Sequence, residues 1–149
     1  MIRLHFLPVA FFIIAFLLSQ QGYAQDAGEA KVYRTQFIEL RDKVKSLFER
    51  VEKQSRNKPD LKLKLELSEE MFALTKLAHN LEEQAFKTNL SGMKNGQDSN
   101  KTLLLVSQGC KSLDFVLTAL DNYVTTDDRT FLSLAKDGDD IMVSIEKVL

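Results

Sequence analysis

Residues 30–51 read AKVYRTQFIELRDKVKSLFERV, and their apolar ladder falls at Ala30, Tyr33, Phe37, Leu40, Val44, Leu47 and Val51. Steps of three and four return each side chain to one stripe of an α-helix, because a turn takes about 3.6 residues. A strand, with its period of two, would scatter the same residues over both faces. The stretch therefore specifies a helix with one oily side, which needs other helices to cover it.

Three more stretches repeat the pattern. The second uses Leu63, Leu67, Met71, Leu74, Ala78, Leu81 and Ala85, and the third uses Leu103, Val106, Cys110, Leu113, Leu117, Leu120 and Val124. The fourth uses Phe131, Leu134, Gly138, Ile141, Ile145 and Val148. Breaks lie at Asn57-Lys58-Pro59, at Gly92 with the polar segment Met93 to Asn100, and at Thr125 to Asp128. Proline disfavours helix in the residue before it, Asp60 can cap the next helix, and Asn95-Gly96 tolerates left-handed geometry. The first helix is expected over about Asp26 to Arg56 and the second over Asp60 to Ser91, closed by Gly92. Leu61 to Leu67 alternates with period two, but the 3-4 spacing begins inside it and no second strand exists to pair with it. It is read as helix. Short connections between long helices predict an all-α, up-down-up-down antiparallel four-helix bundle with crossings of roughly 20°.

The first 24 residues read as an export signal. Arg3 precedes an apolar run from Phe6 to Leu18, Ser19-Gln20-Gln21 comes next, and Gly22-Tyr23-Ala24 places small residues three before and immediately before a cut. Cleavage is expected between Ala24 and Gln25. A membrane span needs roughly 20 apolar residues, more than this run supplies, and Pro8 interrupts it. The remaining 25–149 suit one domain able to build its own core. This portion is expected in a periplasmic or extracellular space. Its only cysteine, Cys110, cannot form an internal disulfide, and its ladder position predicts burial. The net charge of the mature part, −2, argues against general nucleic-acid binding, which draws on uncompensated Lys and Arg.

Chemical motifs are missing where they would be needed. A di-iron bundle uses two Glu-x-x-His pairs, whereas residues 25–149 hold one histidine, His79, with Lys76 three places before it. There is no Cys-x-x-Cys-His for haem. Asp137, Asp139 and Asp140 lack the alternating loop of a calcium site. No nucleophile set can be assembled from Cys110 and His79. The expectation is a protein that is not an enzyme, with no catalytic residue, metal or cofactor.

Two surface features remain. Lys31 to Lys64 carries a net +6 and residues 65–149 a net −6. Helix dipoles account for much of this, but Lys62 and Lys64 stand at a helix start, where cations are disfavoured. With Arg56 and Lys58 they form a candidate anion-binding corner for an anionic membrane surface or glycan. Internal compensation by Asp127 and Asp128 at the same end is the competing reading.

The sharper feature is a second apolar stripe on the second helix. Leu61, Leu65, Phe72, Phe86 and Leu90 lie away from the inward ladder, and Leu65, Phe72, His79 and Phe86 recur every seven residues, as a helix-to-helix seam requires. Either the second helix is central and covered on both sides, or this face docks a protein partner or a second copy. His79, if buried there without an acidic partner, would weaken such an interface below about pH 6.5. The expected function is an exported, non-enzymatic interaction module. The alternative is a small-ligand binder with an interhelical pocket near Gly109, Cys110 and Gly138, whose glycines point to close helix approach or to a cavity-shaping kink.

Overall fold

A computed structural model describes the backbone over residues 7–55 and 60–149 and the side chains of 28–55 and 60–149. The side chains of the expected leader peptide, and Arg56 and Lys58, lie outside the described residues, while the backbone helix expected from about Asp26 begins instead at Leu7 and runs through the expected cut after Ala24. Four helices form a bundle: α1 (Leu7–Gln54), α2 (Leu61–Lys94), α3 (Lys101–Thr126) and α4 (Arg129–Glu146). No strand occurs among the described residues.

Caps set the helix starts. The Asp60 carboxylate accepts the Leu63 N–H at 2.8 Å, so Leu61 to Leu67 enters α2 as helix despite its period-two pattern. Asn100 accepts the Leu103 N–H at 3.3 Å to open α3, and Asp128 accepts the Thr130 N–H at 2.9 Å to open α4. At the end of α2 the expectation fails by one turn: Gly92 does not stop the helix, which runs on to Lys94. The Gly92 carbonyl still receives the Asn95 and Gln97 N–H groups, and the chain reverses only at Gly96, whose φ of +82° is the left-handed geometry glycine tolerates.

Side-chain bonds between helices pair rising residue numbers on one with falling numbers on its neighbour. Tyr33 and Thr88 hydroxyls meet at 3.0 Å while Arg50 donates to Glu70, linking α1 to α2. Lys64 donates to Asp127 at 2.9 Å, Ser68 to Asp121 at 2.7 Å, and the Asn100 N–H to the Asn89 side-chain oxygen at 2.7 Å, linking α2 to α3 and its ends. Arg41 reaches Glu146 of α4 at 2.7 Å.

The centre of the bundle is α3. It packs against α1, α2 and α4, whereas α2 and α4 do not meet. Beyond its ladder, which is buried throughout, α3 buries a second row at Gly109, Val116, Ala119 and Tyr123. Gly109 brings α1 in across the bundle: a Cβ there would sit 2.5 Å from the Phe37 ring. On α1 the ladder is buried, apart from the half-buried Tyr33.

The register of α4 corrects the sequence expectation. Ala135, Gly138 and Met142 face the core, with Phe131 and Leu149 packed against it, while Leu134, Ile141 and Val148 are exposed. Small residues win because α4 presses close to α3, where a Cβ on Gly138 would lie 2.6 Å from Val116 Cγ2. Larger side chains at 135 and 138 would hold the helices apart.

Candidate functional site

With α3 in the middle, α2 is a flanking helix, and its outer stripe is left uncovered by the described residues. Leu61 is 84% exposed, Leu65 60%, Phe72 63% and Phe86 46%, and Leu90 is also exposed. The His79 side chain is 71% exposed in the middle of the row. Met93, one further seven-residue step along, is exposed as well and continues the stripe to the end of α2. These residues project outward because the opposite side of α2, from Leu67 through Ala85, is taken by the core. The stripe lies roughly 130° around the helix from that buried ladder.

Charged groups border the stripe rather than interrupt it. Lys76 Nζ sits 4.3 Å from the Phe72 ring centroid, a cation–π arrangement that leaves the outer part of the ring open. Glu83 pairs with Lys87, whose hydrogen bond first, and charge second, hold the Glu83 carboxyl below its ordinary range, with a smaller pull from His79. His79 Nδ1 lies 3.9 Å from Glu82, which also holds Lys111 of α3 at 3.5 Å. The condition attached to acid weakening, a histidine without an acidic neighbour, is therefore not met.

The basic corner is partly compensated. Lys64 gives its charge to Asp127 in the connection between α3 and α4, and Lys62 lies 3.9 Å from Glu66 while remaining exposed. The first of these is the internal pairing that the charge distribution anticipated.

Around Gly109, Cys110 and Gly138 the space is already taken. The Phe37 ring fills the position beside Gly109, and Val116 and Phe115 fill the one beside Gly138. Burial, with a lesser contribution from the Glu82 charge, pushes the Cys110 thiol up to about 12, so its nucleophilic thiolate is scarce at neutral pH. An open groove of about 330 Å³ lies elsewhere, between α1 and α2, lined by Gln36, Glu39 and Lys43 on one side and Leu77, Asn80 and Gln84 on the other. Among the described residues no three His, Cys, Asp or Glu side chains gather as a metal-binding group.

Sequence reading missed a second apolar patch. Phe115 of α3 lies beside Gly138, and Leu134 and Ile141, one turn to either side of that glycine, are exposed with it. The signal is present in the seven-residue recurrence of Leu134, Ile141 and Val148, which the ladder pattern alone places in the core. Also missed was the centrality of α3, which is long and apolar enough to pass for a membrane span yet has over half of its most apolar stretch buried inside the bundle.

No protein-family model, curated protein or solved structure matches this chain.

Proposed function

We propose that this protein is an exported, non-enzymatic interaction module: an up-down-up-down antiparallel bundle that remains after cleavage near Ala24 and docks a protein through the outer face of α2. The observation that carries the reading is the uncovered row Leu61, Leu65, Phe72, Phe86 and Leu90 on a helix whose other side is fully used by the core. Single exposed apolar residues are ordinary, but a continuous row with two phenylalanines is the kind of patch that marks an interaction surface. Burying that row against another helix recovers hydrophobic free energy that this chain's own fold does not use.

The test separates surface from core. Phe72→Glu with Phe86→Glu is expected to leave the unfolding free energy within about 0.5 kcal/mol of wild type per site, as for exposed positions. A photo-crosslinker at Leu65 is expected to form an adduct in the exported compartment, lost in that double variant, while one at Thr118 on the exposed side of α3 forms none. Loss of folding in the double variant, or equal crosslinking from both positions, would overturn the reading.

A further inference from the structure

We propose that the α2 face pairs with a second copy of this chain, antiparallel, about a two-fold axis passing His79. The inference rests on the reading of this face as an interaction surface and names its occupant. Three observations converge on it.

The seven-residue row within the stripe, from Leu65 to Met93, is symmetric about its own middle, with Leu61 and Leu90 lying outside that symmetry. Phe72 and Phe86 stand seven residues to either side of His79, and Leu65 and Met93 stand fourteen to either side, all of them exposed. When two such helices run in opposite directions with their His79 residues level, Phe72 of each copy meets Phe86 of the other and Leu65 meets Met93. Apolar meets apolar on either side of the paired His79 residues, along a row about 42 Å long at 1.5 Å per residue. An isologous interface needs this self-complementarity, whereas an unrelated partner places no such demand on the spacing.

Charge gives the same register. In a two-fold antiparallel pair, the same flank of each helix lies side by side with its direction reversed. Between Glu69 and Lys87, the charged residues of the flank next to the stripe are Glu69, Lys76, Glu83 and Lys87. With His79 on the axis, Lys76 falls within one residue's rise of level with Glu83 of the second copy, and Glu69 within two residues' rise of Lys87. Each pair occurs twice. A parallel two-fold pairing would instead set this flank against the opposite flank of the second copy, where Lys76 and Glu83 do not meet. The flank groups are at the surface already, with Lys76 resting on Phe72 and Glu83 on Lys87, so exchanging partners exposes no buried charge.

Clearance is the third observation. The buried residues of α2 all lie on its inner side, facing α1 and α3, and α4 does not touch α2. Among the described residues, no element stands between the two stripes.

Sedimentation of the full chain as purified from its producing cells is expected to show a concentration-dependent dimer. Lys76→Glu and Glu83→Lys should each weaken dimerisation about tenfold through two symmetric pairs, and the two together should restore it. Under mild oxidation His79→Cys should form a disulfide-linked dimer and Phe72→Cys alone should not, while Phe72→Cys mixed with Phe86→Cys should link. Cys110 is buried and does not compete. Self-linking by Phe72→Cys, or charge reversals that fail to rescue one another, would overturn the antiparallel register. A chain that stays monomeric at all attainable concentrations would overturn self-pairing. If Phe72→Glu with Phe86→Glu is then as stable as wild type, the surface stands and only its occupant is wrong; if that variant unfolds, both readings fall.

Discussion

Gly109 shows how one residue's chemistry depends on its partner. In an isolated helix, alanine is favoured over glycine by about 1 kcal/mol, so the sequence marks this position as a local cost. In the bundle, the hydrogen that stands for a side chain leaves room for the Phe37 ring, and an added Cβ would come within 2.5 Å of two ring carbons. The fully buried Phe37 ring, or the helix that carries it, would have to move. Gly109→Ala is therefore expected to lower stability by about 1–3 kcal/mol despite its better helix propensity, as overpacked cores do. Urea unfolding checks this, and a variant more stable than wild type would remove the glycine from the packing argument. Close helix approach was legible from the glycine itself. That the approaching group is Phe37 was not, since it belongs to a different helix far along the chain.

At the scale of the element, α4 separates hydrophobicity from fit. The spacing puts Leu134, Gly138 and Ile141 on the inward face, but the fold keeps only Gly138 of these there and adds Ala135 and Met142, leaving Leu134 and Ile141 exposed. Hydrophobic burial favours either face, and the deciding factor is how closely α4 approaches α3 beside Val116. Ala135→Leu is expected to cost about 1–3 kcal/mol by forcing α4 outward, whereas Leu134→Gln should stay within about 0.5 kcal/mol of wild type. Reversal of that order in thermal or urea unfolding would favour the register that the spacing alone predicts. The start of α2 teaches a related lesson. Period-two alternation over Leu61 to Leu67 competes with the Asp60 cap and with the ladder that continues to Ala85, and the longer pattern prevails.

For the whole molecule, the response to acid depends on which carboxyls are better placed in the fold than in the open chain. The Asp128 carboxyl is held below its ordinary range by the Thr130 N–H it caps, and Glu83 by Lys87. Both folded values are depressed, so the stability they contribute is present above the ordinary carboxylate range and is lost as pH falls through the lowered values. Both groups face water, which keeps the effect small. The urea midpoint is expected to decline between about pH 5 and pH 2, and less steeply in Asp128→Asn. A midpoint that does not change over that interval would count against the cap as a source of acid sensitivity.

Four helices, most of their ends and most inward ladders could be read directly from spacing, because the 3.6-residue turn is a local property and each ladder writes it in consecutive residues; the start of α1, at Leu7 rather than near Asp26, was not among them. The second stripe of α2 was legible for the same reason. Whether that stripe would be covered was a different kind of question. It turned on which helix takes the middle, and that place went to α3, whose second row of Gly109, Val116, Ala119 and Tyr123 allows neighbours to pack on several sides. Central position is a property of how four surfaces fit at once, through contacts between residues distant in the chain, so it was decided only when the helices came together.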